Sequence, residues 1–288
     1  MTKYSYYPGC TLHGTAKEYD ISTKKVFDSL DIKLKELKDW NCCGAIETSS
    51  DKELSVALSA RNIVIAKKKG HDILIPCSIC FHNTAKADLA MTEDEELRAK
   101  VEEMLDTDYE SVNIRNILDV IVNDLGLDAL NKKVTKPLTG IKAIPYYGCL
   151  LTRPSKACKF DNPTHPVSLD NIITAVGAES LPFEHKVKCC GGSLLMGEEE
   201  LAFKLAKGVL DEAKQAGADC IVTTCPMCHS MLDGQQDRIE AYFNETIDLP
   251  VLYISQFIGL ALGHSMKDLG INKNMVPADE IIKMIGGM

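Results

Sequence analysis

Ten of the twelve cysteines fall into two sets of five, and their spacing is where this sequence concentrates its chemistry. The first set is Cys10, the adjacent pair Cys42 and Cys43, then Cys77 and Cys80. The second is Cys149, the adjacent pair Cys189 and Cys190, then Cys225 and Cys228. A structural zinc ion takes four ligands, often as two close pairs. Adjacent side chains diverge, so both members of a Cys-Cys pair fit one tetrahedral ion poorly. They suit a polynuclear centre, serving different metals or bridging two. An ordinary [4Fe–4S] cube takes four thiolates, so five per set point to a cluster of another kind. The alternative is zinc at each C-x-x-C, with the paired cysteines as buried apolar residues. Glycine follows each pair, Gly44 in one set and Gly191-Gly192 in the other, and a backbone without Cβ can approach an inorganic core closely.

The other reactive side chains are less informative. Cys158 and Cys220 have no counterparts in the repeat; Cys220 opens an apolar strand and reads as core, Cys158 as a bystander near a basic loop. His229 directly follows Cys228 and His82 lies two residues beyond Cys80, so both are candidate proton donors, His229 first, because histidine titrates near neutrality. Each has a plainer role open to it, capping the next helix or bonding a sulfur. Lys186 and Lys188 flank the second pair and would suit an anionic substrate group. Nothing in their spacing sets His13 and His185 apart from surface residues.

The elements that must position these thiols are themselves duplicated. Cys149 follows Cys10 by 139 residues, Cys189 follows Cys42 by 147 and Cys225 follows Cys77 by 148. So steady an offset marks an internal repeat, with halves 1–136 and 137–288 joined at Pro137-Leu138-Thr139-Gly140. Lys3 to Tyr7 and Ile141 to Tyr147 read as strands ending at a Gly-Cys turn. Amphipathic helices are expected over Glu53 to Lys69, with Leu54, Leu58, Arg61 and Ile65 on one side and Ala57 and Val64 adjoining, and over Glu199 to Ala216, which carries Leu201, Leu205, Val209 and Ala213. Each runs into an apolar strand, 72–75 or 220–223, that delivers a C-x-x-C. The stretch 112–121 matches 251–260 as a strand entering an apolar helix. Helix-then-strand order predicts an α/β fold with parallel strands and sites at their carboxyl ends. Thr92-Glu93-Asp94-Glu95 reads as a capping-box start for a helix through Leu105, and 161–166 as a loop.

Composition excludes several classes. The chain has 288 residues, with 32 basic against 41 acidic and a net charge of −9. That argues against a nucleic-acid footprint or an anionic membrane surface. The start has no signal-peptide core, and the apolar run 249–262 is too short to span a bilayer. A cytoplasmic protein is expected, in which thiols read as ligands or redox groups rather than disulfides. No Rossmann fingerprint, P-loop or hydrolase elbow is present.

Tyr6-Tyr7-Pro8-Gly9-Cys10, Cys42-Cys43-Gly44, Cys189-Cys190-Gly191-Gly192 and the closing Gln256 to Gly263 resemble the tandem cysteine-rich CCG domains. Over its whole length the chain most resembles the B-subunit family of CoB–CoM heterodisulfide reductases. The resemblance implies two tandem α/β halves related by a pseudo-twofold axis, each carrying a noncubane [4Fe–4S] cluster at its strand ends. One cluster would be held by Cys10, Cys42, Cys43, Cys77 and Cys80, the other by Cys149, Cys189, Cys190, Cys225 and Cys228. It further implies reduction of the mixed disulfide of coenzymes M and B to two thiols, a step of methanogenesis. Two clusters facing one cleft would each take one sulfur. The implied partners are the flavin- and cluster-bearing A subunit and the iron–sulfur C subunit of heterodisulfide reductase, with a hydrogenase or formate dehydrogenase upstream. Relatives with similar domains serve glycolate or lactate oxidation and membrane dehydrogenases, so an electron-transfer subunit passing electrons to a quinone or flavin is the rival expectation.

Overall fold

A computed structural model gives the structure of the chain and describes residues 2–286. The first half runs β1 (Lys3–Tyr6), α1 (Gly9–His13), α2 (Lys17–Ser29), β2 (Lys33–Glu36), α3 (Lys52–Lys67), β3 (Ile73–Leu74), α4 (Ser78–Glu93), α5 (Glu95–Leu105), β4 (Ile114–Arg115), α6 (Ile117–Asp119) and α7 (Leu127–Lys133). The second repeats it as β5 (Lys142–Tyr146), α8 (Ser155–Cys158), α9 (Ser168–Ala175), β6 (Glu179–Ser180), α10 (Glu199–Gln215), β7 (Cys220–Thr223), α11 (Pro226–Leu232), α12 (Gln236–Phe243), β8 (Val251–Tyr253) and α13 (Ile254–Ala261), closing on α14 (Asp279–Gly286). Each half forms a four-stranded sheet, in the orders β2-β1-β3-β4 and β6-β5-β7-β8. Every pairing is parallel, with Ser5 opposite Ile73 and Ala143 opposite Cys220. Helices cover the sheets, as parallel strands require; the expected α/β duplication is present.

Two details differ from expectation. The inward face of α3 is not the leucine stripe: Leu54 is 43% exposed, while Val56, Ala57, Ala60, Ile63 and Val64 are buried with Ser55, Ser59 and Asn62. Those three polar residues face inward because they hold the Cys42-Cys43 loop, described below. In α10, Leu201 is likewise exposed, and Ala202, Phe203 and Ala206 join Val209 and Ala213 inside. The acidic stretch also starts its helix later than expected. Thr92 lies in the last turn of α4, its Oγ1 donating back to Asp88 O at 2.8 Å, and Asp94 caps α5 by accepting from Leu97 N at 3.0 Å. Inside a helix a threonine satisfies itself on the preceding turn, so the capping role passes to the aspartate.

The halves interlock. α13 packs on α2 of the other half, and α9 packs in turn on α6 and α7. Ser22 Oγ and Ser255 Oγ lie 2.7 Å apart in the first of these interfaces, and the Tyr19 and Tyr253 rings stack at 4.1 Å. The main apolar core runs from Tyr4 to Ile281 through both halves, and a smaller cluster lies within each half, Val56 to Tyr109 in the first and Ile144 to Val251 in the second. The run 249–262 lies largely inside the main core: Val251 to Ala261 is buried throughout, and no helix among the described residues is long and apolar enough to cross a membrane.

Candidate metal centre

Each thiol set is delivered by three chain segments. β1 and β5 end at Gly-Cys turns in which Gly9 and Gly148 take φ of +72° and +69°. β3 and β7 each lead to a cysteine that caps the next helix, Cys77 before α4 and Cys225 before α11. Those helix N-termini place partial positive charge beside the C-x-x-C sulfurs. The paired cysteines come on loops preceding α3 and α10.

The structure brings the members of each set together. In the first, contacts run Cys42 to Cys43 to Cys80 to Cys77, with Cys10 near Cys42. In the second they run Cys149 to Cys189 to Cys190 to Cys228 to Cys225. All are free thiols; Cys10 is exposed, Cys42, Cys149 and Cys189 half-buried, the rest buried. Hydrogen bonds from neighbouring thiols hold Cys43, Cys189 and Cys225 below the ordinary thiol range. Their partners Cys80 and Cys149 are pushed up by the same sharing, and Cys190 is raised to about 12. Gly191 N and Gly192 N add contacts of 3.3 and 3.4 Å to the sulfurs of Cys189 and Cys190. Among the described residues no three His, Cys, Asp or Glu close around a single-ion site. Strings of five thiols in mutual contact fit a polynuclear, thiolate-bound group such as an iron–sulfur cluster.

Glycine explains the packing, though not where expected. A Cβ on Gly9 would lie 2.8 Å from Cys80 Sγ, and one on Gly148 would lie 3.0 Å from Cys228 Sγ. The glycines after the pairs do something else. A Cβ on Gly44 would meet Ser55 Cα at 3.0 Å, and one on Gly191 would meet Ala202 O at 2.6 Å. Those two let the loop lie against the following helix, while a Cβ on Gly192 would lie 3.4 Å from Cys190 Sγ, so the closest approaches to sulfur are at Gly9 and Gly148.

A cavity of about 540 Å³ opens over the second set. All five of its thiols line it, and the first half supplies the opposite wall with Thr48, Ser78, Ile79, His82 and Asn83. A smaller cavity of about 230 Å³ borders Cys77 of the first set, faced by Leu195, Pro226, Met227, Ser230 and Met231 of the second half. These five wall positions match the first five at offsets of 147 or 148, so the cavities are pseudo-twofold mates. Ile79 and Met227 line both. One shared cleft was expected; the structure has two, partitioned by the inner residues of the two C-x-x-C motifs. Sequence reasoning passed over these wall residues because nothing about an isolated Thr, Asn or Ile marks it. Superposing the two repeats would have flagged them.

The two histidines exchange standing. His82 lines the wide cavity, and its Nδ1 donates to Arg153 O at 2.7 Å. Burial lowers its pKa. His229 does not line the cavity. It stacks on Tyr253 at 4.1 Å, its Nε2 has no partner among the described residues, and burial pushes it down to about 3. A ring held neutral this firmly has no proton to give near pH 7. Lys186 is engaged by Asp170 at 3.2 Å and lies over the Tyr147 ring. Neither it nor Lys188 borders the cavity, whose lining holds no Lys, Arg, Asp or Glu among the described residues, so the structure does not bring these lysines to it. His13 pairs with Glu36 at 3.0 Å, and His185 pairs with Glu212. Cys220 is fully buried core, and Cys158 Sγ donates to Arg153 O at 3.3 Å, outside both sets.

The family model for the cysteine-rich domain named CCG matches twice, over residues 4–84 and 144–233. The chain belongs to the CCG family. Among curated proteins, this CCG chain is 32% identical to the 8-methylmenaquinol:fumarate reductase membrane anchor subunit of Wolinella succinogenes, over 97% of the chain and 99% of that protein. It is equally 32% identical to the B subunit of the ferredoxin/F(420)H(2)-dependent CoB-CoM heterodisulfide reductase of Methanosarcina acetivorans, over 99% of the chain and 97% of that protein. A protein of Archaeoglobus profundus named as like the heterodisulfide reductase B subunit is 31% identical over 99% and 98%. Among solved structures, a hypothetical protein from Helicobacter pylori superposes with a TM-score of 0.76 over 96% of this chain at 14% identity. This CCG chain spans about half of that protein, 52% of its length, and the likeness is one of fold.

Proposed function

We propose that this chain is the substrate-reducing iron–sulfur subunit of an oxidoreductase complex, and that it reduces the mixed disulfide of coenzymes M and B to the two thiols in methanogenesis. One observation carries the reading: two complete five-thiol sets, the second opening into a cavity large enough for a ligand. Cys10, Cys42, Cys43, Cys77 and Cys80 would hold one noncubane [4Fe–4S] cluster, and Cys149, Cys189, Cys190, Cys225 and Cys228 the other. Bound there, such clusters supply electrons singly and an iron with affinity for thiolate sulfur. The residues of the chain supply the rest. Thr48, Ser78 and Asn83 present hydroxyl and amide groups across from the thiols, and Ile79 and Met227 keep the sulfur end of a ligand dry. His82 is placed to hold or pass a proton at Nε2, its Nδ1 proton being committed to Arg153 O. The heterodisulfide reductase A (FAD, iron–sulfur) and C (iron–sulfur) subunits would deliver the electrons, in the cytoplasm, from a hydrogenase or formate dehydrogenase.

A second reading has the same clusters passing electrons to or from a quinone. The fumarate reductase relative, named for a menaquinol, favours it, and so does a cavity lining without charged side chains.

Metal analysis of the anaerobically purified complex tests the proposal. About eight iron and eight sulfide in this chain, with a new paramagnetic signal on adding the coenzyme M thiol under mild oxidation, is the expected result. Cys189→Ala should abolish one cluster's signal and turnover while leaving the other cluster's iron in place. Zinc at two per chain without sulfide would end the redox reading. Full iron with no response to thiol, but reoxidation by a menaquinone analogue, would move the assignment to the second reading.

A further inference from the structure

A cavity of about 360 Å³ lies against the first sheet, lined by Ser5, Lys35, Glu36, Lys38, Lys69 and His71 and by no cysteine. Ser5 stands inside β1, opposite Lys35 of the edge strand β2. Its side chain belongs to a residue only 1% exposed, yet its Oγ has no hydrogen-bond partner among the described residues. Leaving a buried hydroxyl unpaired is costly, and native structures rarely do so without reason. The charge around it is one-sided. Glu36, the acid of the lining, is taken by Lys24 and by His13, each at 3.0 Å. Lys35, Lys38 and Lys69 are exposed and form no ion pair among the described residues. In a chain of net charge −9, three uncompensated lysines around one small cavity reverse the sign locally.

The second half fills the same place with apolar side chains. Ser5 matches Ile144 at the offset of 139, and Leu181, next after the pairing of Ala143 with Ser180, matches Lys35. Ile144 and Leu181 are both buried in the apolar cluster of that half. Serine and lysine at these positions leave the space open and polar in the first half. Each lysine has an ordinary reason to be near. Cations on an edge strand deter pairing with other chains, and Lys69, just past the end of α3, complements the helix carbonyls. Neither reason puts an unpaired serine beneath them. A hydroxyl donor at the floor and ammonium groups at the rim are what an oxyanion requires.

We infer that this cavity is an anion site, in which Ser5 Oγ and the ammonium groups of Lys35, Lys38 and Lys69 bind a phosphate group. It stands apart from both thiol sets and does not depend on the function proposed for them.

Equilibrium dialysis of radiolabelled inorganic phosphate against the full, metal-replete chain tests it. Saturation at one equivalent is expected. Ser5→Ile combined with Lys35→Leu, which installs the pair of the second half, should weaken binding by at least about tenfold. Lys38→Gln combined with Lys69→Gln, which alters exposed side chains alone, should do the same. Lys33→Gln, on the same strand but outside the lining, should leave the affinity within about twofold. Phenyl phosphate distinguishes the two sources of the group: tighter binding than inorganic phosphate assigns the cavity to an ester, and equal or weaker binding assigns it to the free ion. No saturable binding of either would leave the Ser5 hydroxyl to water and overturn the inference. So would saturation that both double variants leave untouched, or a loss in Lys33→Gln as large as theirs, which would reduce the lysines to diffuse edge charge. If the Ser5→Ile, Lys35→Leu chain does not fold, as its circular dichroism melt will show, the Lys38, Lys69 pair decides against Lys33→Gln.

Discussion

At the scale of single residues, the two glycines of Cys190-Gly191-Gly192 are not equivalent. Gly191 takes φ of +82°, and a Cβ there would lie 2.6 Å from a backbone oxygen and 2.8 Å from a Cα of Ala202, neither of which can swing aside. Gly192 faces the flexible Met227 side chain. Gly191→Ala should therefore cost about 2–4 kcal/mol from the combined dihedral and steric penalties, and Gly192→Ala about 1 kcal/mol. Thermal unfolding of the two variants, compared with the unaltered chain, checks the order; equal losses would refute it. A second residue sets a pH dependence. Asp233 is 2% exposed and accepts from Met275 N at 2.7 Å and Val276 N at 3.2 Å, tying the end of α11 to the segment before α14. Burial lifts its carboxyl to about 6 despite those donors. The unfolded value is about 3.9. Between these two values the native chain holds a proton that the unfolded chain has lost, so this group's contribution to stability falls as pH rises through that window and is level above it. The slope is at most about 1.4 kcal/mol per pH unit. Asp233→Asn, which keeps an acceptor for one donor, should flatten a plot of melting temperature against pH between about 4 and 6. A slope unchanged by the substitution would assign the effect to another group.

At the scale of elements, the same job is done by different chemistry in the two halves. α3 holds its cysteine loop with a polar ladder: Ser55 Oγ donates to Gly44 O and Ser59 Oγ to Cys43 O, both at 2.8 Å, while Asn62 and Asn41 exchange bonds of 3.0 Å. In α10 the matching positions are Ala202, Ala206 and Val209, which offer no such bonds, and the loop keeps the tyrosine bond common to both halves, Tyr146 Oη donating to Lys188 O at 2.7 Å as Tyr7 Oη donates to Asn41 O at 2.8 Å. Ser59→Ala would leave the Cys43 carbonyl with only the 3.5 Å contact from Asn83. It should cost about 1–2 kcal/mol and speed loss of metal from the first set. The second set, whose matching position is Ala206, should release its metal in that variant as it does in the unaltered chain. Chelator-driven release followed by absorbance separates the two. This asymmetry also marks how far the elements were legible beforehand. The duplication, the strand ends and the C-x-x-C turns declare themselves through spacing and β-branched runs. The inward face of α3 does not, because Leu54 and Leu58 outcompete Ser55 and Ser59 in any hydrophobic count, and the demand that turns serines inward comes from a loop at Gly44 that periodicity does not register. The edge strands β2 and β6, with sequences Lys-Leu-Lys-Glu and Glu-Ser, escape notice for a related reason: they pair through backbone, and their side chains are mostly exposed.

At the scale of the whole molecule, the repeat boundary near residues 136 and 137, which we propose on the internal offset, divides sequence units rather than folding units. Each half gives a helix to the other's sheet layer, α13 to α2 and α6–α7 to α9. Tyr19, Phe257, Ile254 and Ile258 are all fully buried in a core that both halves share. Fully burying each such side chain is worth about 1.5–3 kcal/mol. Four of them approach the 5–15 kcal/mol that holds a typical domain together. The exchange also explains why the clefts lie where they do. Ser78 Oγ sits 3.1 Å from Thr224 Oγ1, at the point where the two C-x-x-C turns meet across the pseudo-twofold axis. Each thiol set thus faces a wall borrowed from the other half, and neither cleft exists in a half alone. Residues 1–136 expressed separately should accordingly lack a cooperative thermal transition and bind no stoichiometric iron on reconstitution, whereas mixing them with 137–288 should restore both. Circular dichroism melts and metal analysis of the fragments read this directly. A cooperative transition in 1–136 alone, at a temperature near that of the full chain, would show instead that the shared core is dispensable and that each half carries its own stability.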